Sequence, residues 1–427
     1  MTAGLLLPRL TEADPDVVAE GSIDPLGLAG IADALVDLIA PGVTARMTRP
    51  RLITAIAVSA VVAADFPDRV AADRVGPPWL VVEWHIVEAL VGVKGLPPTA
   101  LRGVGGSAKT AAALQRGGHL DARSYLMTPK VFGFHGVFKR LAVNLGVIDD
   151  TLALTERGYE LVRIWEHEQG LEGFVDDLPG SPGANLRRAL RRAVDHALAA
   201  GTAQALGSAG ATVAKALRPD AAGRAERDLL WRWLDPAEPL RREVLLALTA
   251  EEPAAQSEAV TLRAKAAGAS SRLRARLDAI DAYQALSSTL TRAFDALRVV
   301  SRQHGLVTID LDTAAELAEV AAAHRLPDLY ASADKRIAEV DPGELGTRLD
   351  LGLGGFARRM PPRDLAVELL DHHDRVQAAK PPGGKRPWFE RVPTGFTVRP
   401  IYGLVDPASY VHPTRVTALR TFCEDLR

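Results

Sequence analysis

Several stretches hold residues of types that could do chemistry. RGVGGSAKTAAAL, Arg102 to Leu114, has the ingredients of a phosphate-cradling loop. Such a loop reads G-x-x-x-x-G-K-[ST] between a strand and a helix. Gly103, Lys109 and Thr110 stand at the right spacing, but Ala108 occupies the second glycine position. A methyl group there obstructs the close approach of backbone to phosphate. The two prolines of the preceding LPPTAL also disqualify it as a central strand. The stretch reads as a glycine-rich turn before an Ala-rich helix.

Asp371, His372, His373 and Asp374 are metal-ligating types, but they are consecutive. Consecutive residues spread around a helix instead of converging on one point. A metal site would need partners from elsewhere, and the single cysteine, Cys423, cannot build a thiolate cluster. No serine sits in a nucleophile elbow, and no H-E-x-x-H is present. The acid pairs Asp149-Asp150 and Asp176-Asp177 lie in turns. The expectation is no catalytic residue, no metal and no cofactor.

Basic residues are the remaining signal. Lys380, Lys385, Arg386, Arg391 and Arg399 surround a loop and hairpin that also carry Trp388 and Phe389. Cations interleaved with aromatics suit contact with single-stranded nucleic acid, while the alternative is that Trp388 packs the hairpin onto a helix. Arg187, Arg188, Arg191 and Arg192 form one stripe at i, i+1, i+4, i+5. A third group, Lys130, His135, Lys139 and Arg140, lies in TPKVFGFHGVFKRLAVNLG, with Arg157 and Arg163 on the helix that follows.

The elements that must position these groups are mainly α-helical. Ala and Leu dominate, and 47% of the 427 residues are hydrophobic, enough for two or three cored domains. Asp24 and Pro25 open a helix whose face is Leu28, Ile31, Leu35 and Leu38, and Pro41-Gly42 stops it. LITAIAVSAVVAADF, Leu52 to Phe66, is apolar nearly all round but too short to span a bilayer, so it reads as a buried core helix. WLVVEWHIVEALVG is a third helix. The Lys130 to Arg140 helix is expected to bend at Gly133 or Gly136. GVI and TLALT read as short strands joined across Asp149-Asp150, and Thr155 as the cap of the next helix.

Domain boundaries are expected at the Gly-, Pro- and Asp-rich stretch GLEGFVDDLPGSPG. They are an N-terminal helical domain over 1–169, a linker over 170–183 with Asn185 capping the next helix, an irregular helical array over 184–360, and a C-terminal helix, basic loop and hairpin over 361–427. WFERVPTGFTVRPIY alternates about a turn and predicts the hairpin, Trp388 to Tyr402. The opening MTAGLLLPRLTEADPD lacks a basic leader and cleavage site, so a cytoplasmic protein without a membrane partner is expected. Formal net charge is −2, so nucleic-acid binding would have to come from a local patch.

KRLAVNLGVIDDTLALTERGYELV resembles the winged-helix family. Lys139 to Leu145 would end the recognition helix at Gly146, Val147-Ile148 would be a strand, and Leu154-Thr155-Glu156-Arg157-Gly158 would open the next helix. The resemblance covers about residues 125–168, and its wing is short for the family. It implies a helix placed in the major groove of DNA, or a docking module without DNA. SIDPLGLAGIADALVDLIAPGVTARMTRPRLITAIAVSA and HHDRVQAAK…GKRPWFE resemble uncharacterised bacterial proteins often encoded beside anti-phage defence genes.

The resulting expectation is a non-catalytic subunit of a multiprotein prokaryotic defence complex, with DNA and other protein subunits as partners. It would contact DNA through Lys130, His135, Lys139, Arg140, Arg157, Lys380, Lys385, Arg386, Trp388 and Arg391. The alternatives are a winged-helix transcription regulator with a helical partner- or ligand-binding domain, and a divergent metal-dependent nuclease.

Overall fold

The computed structural model describes residues 24–74, 76–93, 97–234, 270–303, 307–380, 383–399 and 415–426. These are mainly helical, with one small three-stranded antiparallel sheet near the C-terminus. Contacts divide the chain into two units, Met1–Leu38 with Ala269–Pro413, and Ile39–Gly268 with Thr414–Arg427.

The first unit begins with α1 (Ala29–Asp37). Asp24 accepts from the amides of Leu28 and Ala29 at 3.0 and 2.8 Å, but the helix begins only at Ala29, with Leu28 at its N-cap, so Pro25 stands in the turn before it and not in its first turn. Leu28, Ile31 and Leu35 are buried as their spacing requires.

The second unit holds α2 (Arg51–Ala63), α3 (Pro78–Gly92), α4 (Ser107–Gln115), α5 (Pro129–Phe132), α6 (Phe134–Asn144), α7 (Glu156–Glu168), α8 (Pro182–Ala200), α9 (Ser208–Ala216) and α10 (Arg224–Leu234). α2 is buried from Arg51 to Val62. A helix apolar on every side has no other stable place in a globular unit. Its one cation, Arg51, meets the fully buried Glu226 of α10 at 3.0 Å and donates to the Ala216 and Ala221 carbonyls. The segment expected as a linker packs inside this unit. Leu171 and Phe174 are buried, with Phe174 edge-on to Trp165 at 5.2 Å. The cap of α8 is Ser181, which accepts from the Ala184 amide at 3.1 Å, and not Asn185, which lies exposed within the helix.

Back in the first unit, α11 (Ser271–Gln303) is its spine, about 50 Å long at 1.5 Å per residue. Leu273, Leu277, Ile280, Tyr283, Leu286, Leu290, Phe294 and Leu297 recur every three or four residues and are all buried. Strand β1 (Ile309–Asp310) leads into α12 (Leu311–Ala315), α13 (Ala318–Ala322), α14 (Leu326–Val340), α15 (Glu344–Leu353) and α16 (Pro362–Ala378). The expected hairpin forms as β2 (Phe389–Val392) and β3 (Gly395–Val398), and β3 also pairs with β1, giving the order β1-β3-β2. The last three residues of the expected hairpin, 400–402, lie outside the described residues.

The chain returns to the second unit as α17 (Val416–Glu424). Phe422 meets Phe138 at 6.3 Å, Arg415 donates to the Val43 carbonyl, and Asp425 pairs with Arg49 at 2.6 Å.

Candidate nucleic-acid interface

Helix α6 is set in place by one buried carboxylate. Glu83, on α3, has no exposure and accepts from the His135 amide at 3.0 Å and from the His135 ring Nδ1 at 2.8 Å. Its other oxygen accepts from the Tyr125 hydroxyl at 2.7 Å. Burial raises the Tyr125 hydroxyl well above its ordinary value, and the adjacent Glu83 carboxylate adds to it. The glycines expected as bend points have distinct roles. Gly133 separates α5 from α6, and a Cβ there would meet Glu83. Gly136 lies inside α6, where a Cβ would come within 2.3 Å of the Lys130 carbonyl oxygen. Glycine therefore lets α5 and α6 touch through their backbones.

After α6 the chain turns sharply. Asp149 Oδ1 accepts from the Thr151 and Ala153 amides, each at 2.9 Å, and Leu152 takes a left-handed φ of +69°. Those hydrogen bonds hold the Asp149 carboxyl below its ordinary value, the Thr151 side chain contributing most. The two expected strands reduce to a single antiparallel bridge, Ile148 to Leu154. Five residues between bridge partners leave room for a turn and nothing longer. Thr155 then caps α7 as expected, accepting from the Gly158 amide at 3.3 Å.

The expected contact residues separate into two classes. Lys130 is exposed, and Lys139 and Arg140 are half-buried on α6. Arg157 is turned to a structural use: it donates to the Leu145 carbonyl at 2.9 Å, closing the C-terminus of α6, and lies 5.7 Å from the Trp233 ring centre. His135 is corrected outright. It is 4% exposed, and its ring serves Glu83. Arg163 pairs with Asp176, and Arg187 and Arg191 both pair with Asp65, so much of the α8 stripe is neutralised within the unit.

The C-terminal basic segment is also a correction. Trp388 is 6% exposed, packed near Phe294 and His373, and its amide donates to His373 Nε2 at 2.9 Å. A base cannot stack on it without unpacking the core. Arg391 pairs with Asp371 and Asp374, Arg386 and Arg399 with Glu390, and Lys380 donates to the Asp24 carbonyl. Lys385 is half-buried, with its amide bonded to the Gln377 carbonyl. His372 and His373 hold the N-terminal turn instead, donating to the Leu26 and Pro25 carbonyls at 2.8 Å each.

The cations around Lys130, Lys139 and Arg140 form a larger group than the sequence reading gathered. Between Glu88 and Asp149 the chain carries eight Lys and Arg residues against one acid, Asp121. They are Lys94, Arg102, Lys109, Arg116, Arg123, Lys130, Lys139 and Arg140. A total of −2 hides this local +7, which a windowed charge count exposes. Lys109 and Arg116 stand two turns apart on one face of α4, and both are exposed, as are Arg102 and Arg123. Asp121 is already counted in that sum, and its carboxylate accepts from the Arg123 and Ser124 amides at 2.9 and 2.6 Å. Burial pushes that carboxyl up, but these bonds and the Ser124 side chain outweigh it and hold it below its ordinary value.

The Gly103–Thr110 stretch is the turn before a helix that its composition predicts. Gly106 has φ +76°, α4 starts at Ser107, and the Thr110 hydroxyl donates back to the Gly106 carbonyl at 2.9 Å. Among the described residues no group of three or more His, Cys, Asp or Glu side chains is placed to hold a metal ion, and no helix is long and apolar enough to cross a membrane. No protein-family model, curated protein or solved structure matches the chain.

Proposed function

We propose that the chain is a non-catalytic, DNA-contacting subunit of a multiprotein prokaryotic defence assembly, and that α6, the tight hairpin and α7 act as a short-winged winged helix. The observation that carries DNA contact is the +7 charge of residues 89–148 in a chain of net −2. Those residues include α4, α5 and α6, and the one acid among them, Asp121, is already counted in the +7. Phosphate contacts by such a surface supply affinity and salt dependence with little sequence preference. The α6 contribution is Lys139 and Arg140, with Lys130 at the start of α5. The defence setting is supported by the sequence resemblance of the two chain ends.

The test is fluorescence anisotropy of the full chain with labelled duplex and single-stranded DNA across a salt series. Wild type is expected to bind with affinity falling steeply as salt rises, and Lys139→Glu/Arg140→Glu to lose about tenfold or more at low salt. Absence of binding by wild type at low salt would overturn the reading.

A further inference from the structure

We infer that residues 124–130 form a wedge that inserts Met127 into a DNA base step while the surrounding cations hold the flanking phosphates. The inference rests on the DNA-contact reading above and adds a second contact, separate from Lys139 and Arg140 on α6.

Met127 is 92% exposed, the largest exposure among the exposed large apolar residues described. Burying a side chain of that size is worth about 1.5–3 kcal/mol, so full exposure on an ordered loop is unusual. The loop is anchored on both sides. Tyr125 is 1% exposed and bonded through its hydroxyl to Glu83, and the Thr128 carbonyl accepts from the Val131 and Phe132 amides at 3.0 Å each. Met127 thus projects from a fixed base.

Exposed cations stand close to it along the chain and on the elements that its loop joins. Arg123 and Lys130 flank it in sequence and are exposed. Lys109 reaches across from α4 and donates to the Tyr125 carbonyl at 3.3 Å, two residues from Met127. Arg46 sits with its guanidinium 4.0 Å from the ring centre of Phe132 at the far end of the loop. The acid nearest in sequence, Asp121, is bonded to the turn's own amides.

One projecting apolar side chain among four cations selects among the polyanions. A protein partner calls for an apolar core of several residues; around Met127, Tyr125 and Phe134 are buried and Leu126, Val131 and Phe132 half-buried, so no second large apolar side chain stands exposed beside it. A lipid surface calls for a broader apolar face than one methionine supplies. Duplex DNA fits both features. Met is among the residues that wedge between base pairs, and such wedges partly unstack and kink the duplex while basic groups hold the backbone. A wedge also suits a protein that recognises deformability more than sequence.

The experiment uses the full chain and a short duplex with 2-aminopurine at a central TA step, read by fluorescence and by anisotropy over a salt series. Wild type is expected to raise 2-aminopurine fluorescence on binding. Met127→Ser, at an exposed site and so without cost to folding, is expected to abolish that rise and weaken binding about threefold or more, with the salt slope unchanged. Lys109→Glu/Arg123→Glu is expected to lower the log–log salt slope by about two, one for each lost phosphate contact. Suppose Met127→Ser unstacks the duplex as wild type does, or the slope stays the same in the double variant, while Lys139→Glu/Arg140→Glu still loses affinity. Then the wedge is wrong and the DNA reading stands. If wild type fails to bind the duplex, both fall. Binding of wild type to phosphatidylserine vesicles in place of the duplex would assign the loop to a membrane surface and overturn the inference.

Discussion

Glu83 and His135 are joined twice, through the His135 amide at 3.0 Å and its ring Nδ1 at 2.8 Å, both to the same carboxylate oxygen. That pair locates the start of α6 against α3, and Tyr125 joins it through the other oxygen. A histidine that reads as a phosphate contact in the sequence is therefore part of the buried support of α6.

Removing the carboxylate leaves the His135 amide and ring Nδ1 without their acceptor, and leaves the Tyr125 hydroxyl only the Gly105 carbonyl at 3.1 Å. Glu83→Ala is expected to destabilise the second unit by about 3 kcal/mol or more, and Tyr125→Phe, which removes one donor, by about 1–2 kcal/mol. Urea denaturation measures both. A Glu83→Ala protein within about 0.5 kcal/mol of wild type would show that the cluster does not hold α6.

The Arg51–Glu226 pair offers a second test. Both side chains have zero exposure, and Thr54 also donates to Glu226 at 2.5 Å. Burial lowers the Arg51 guanidinium, with Glu226 working against it, and burial raises Glu226, with Arg51 working against that. Arg51→Met alone strands a buried acid and is expected to cost about 3–5 kcal/mol. Arg51→Met/Glu226→Leu is expected to cost clearly less than the two single changes together. Additive costs in a double-mutant cycle would refute the coupling.

Acid should loosen the first unit through His373. Burial pushes its ring down to about 4, although the bond to the Pro25 carbonyl works the other way. Burial lowers His372 as well. A folded value below the unfolded one means that the unfolded chain binds more protons. The stabilisation is complete above about pH 6.5 and is lost as pH falls towards 4, by up to about 1.4 kcal/mol per pH unit for His373. Protonation would also remove the acceptor of the Trp388 amide, since Nε2 must stay unprotonated to receive it. Denaturation curves at pH 7.5, 6 and 4.5 should show a shallower pH slope for His373→Gln than for wild type. Equal slopes would count against this role.

Trp388→Ala separates the core reading of this residue from a contact reading. Its ring packs near Phe294 and His373 and lies 4.8 Å from the Arg298 guanidinium. The substitution is expected to cost about 3–5 kcal/mol, with DNA affinity unchanged at temperatures where the variant stays folded. Wild-type stability with lost DNA affinity would reverse the correction made above.

Much of the fold was legible because it depends on neighbours in the chain. The all-round apolar α2, the Thr155 cap and the hairpin about Pro393-Thr394 follow from periodicity and turn chemistry over a few residues. The local excess of base over acid between Glu88 and Asp149 is equally a property of the sequence, visible once charge is counted in windows. What a polar side chain faces is different, because its partner can be anywhere. Arg391 meets Asp371 across 20 residues, Arg51 meets Glu226 across 175, and Arg415 meets the Val43 carbonyl across 372. The division into units has the same origin, since α17 finds its contacts near residues 43–49 and 138. The sequence alone determined which segments are helices and where basic charge is dense. Only the tertiary structure decided which of those charges are consumed by distant carboxylates and carbonyls, and which side chains, such as Met127, face outward.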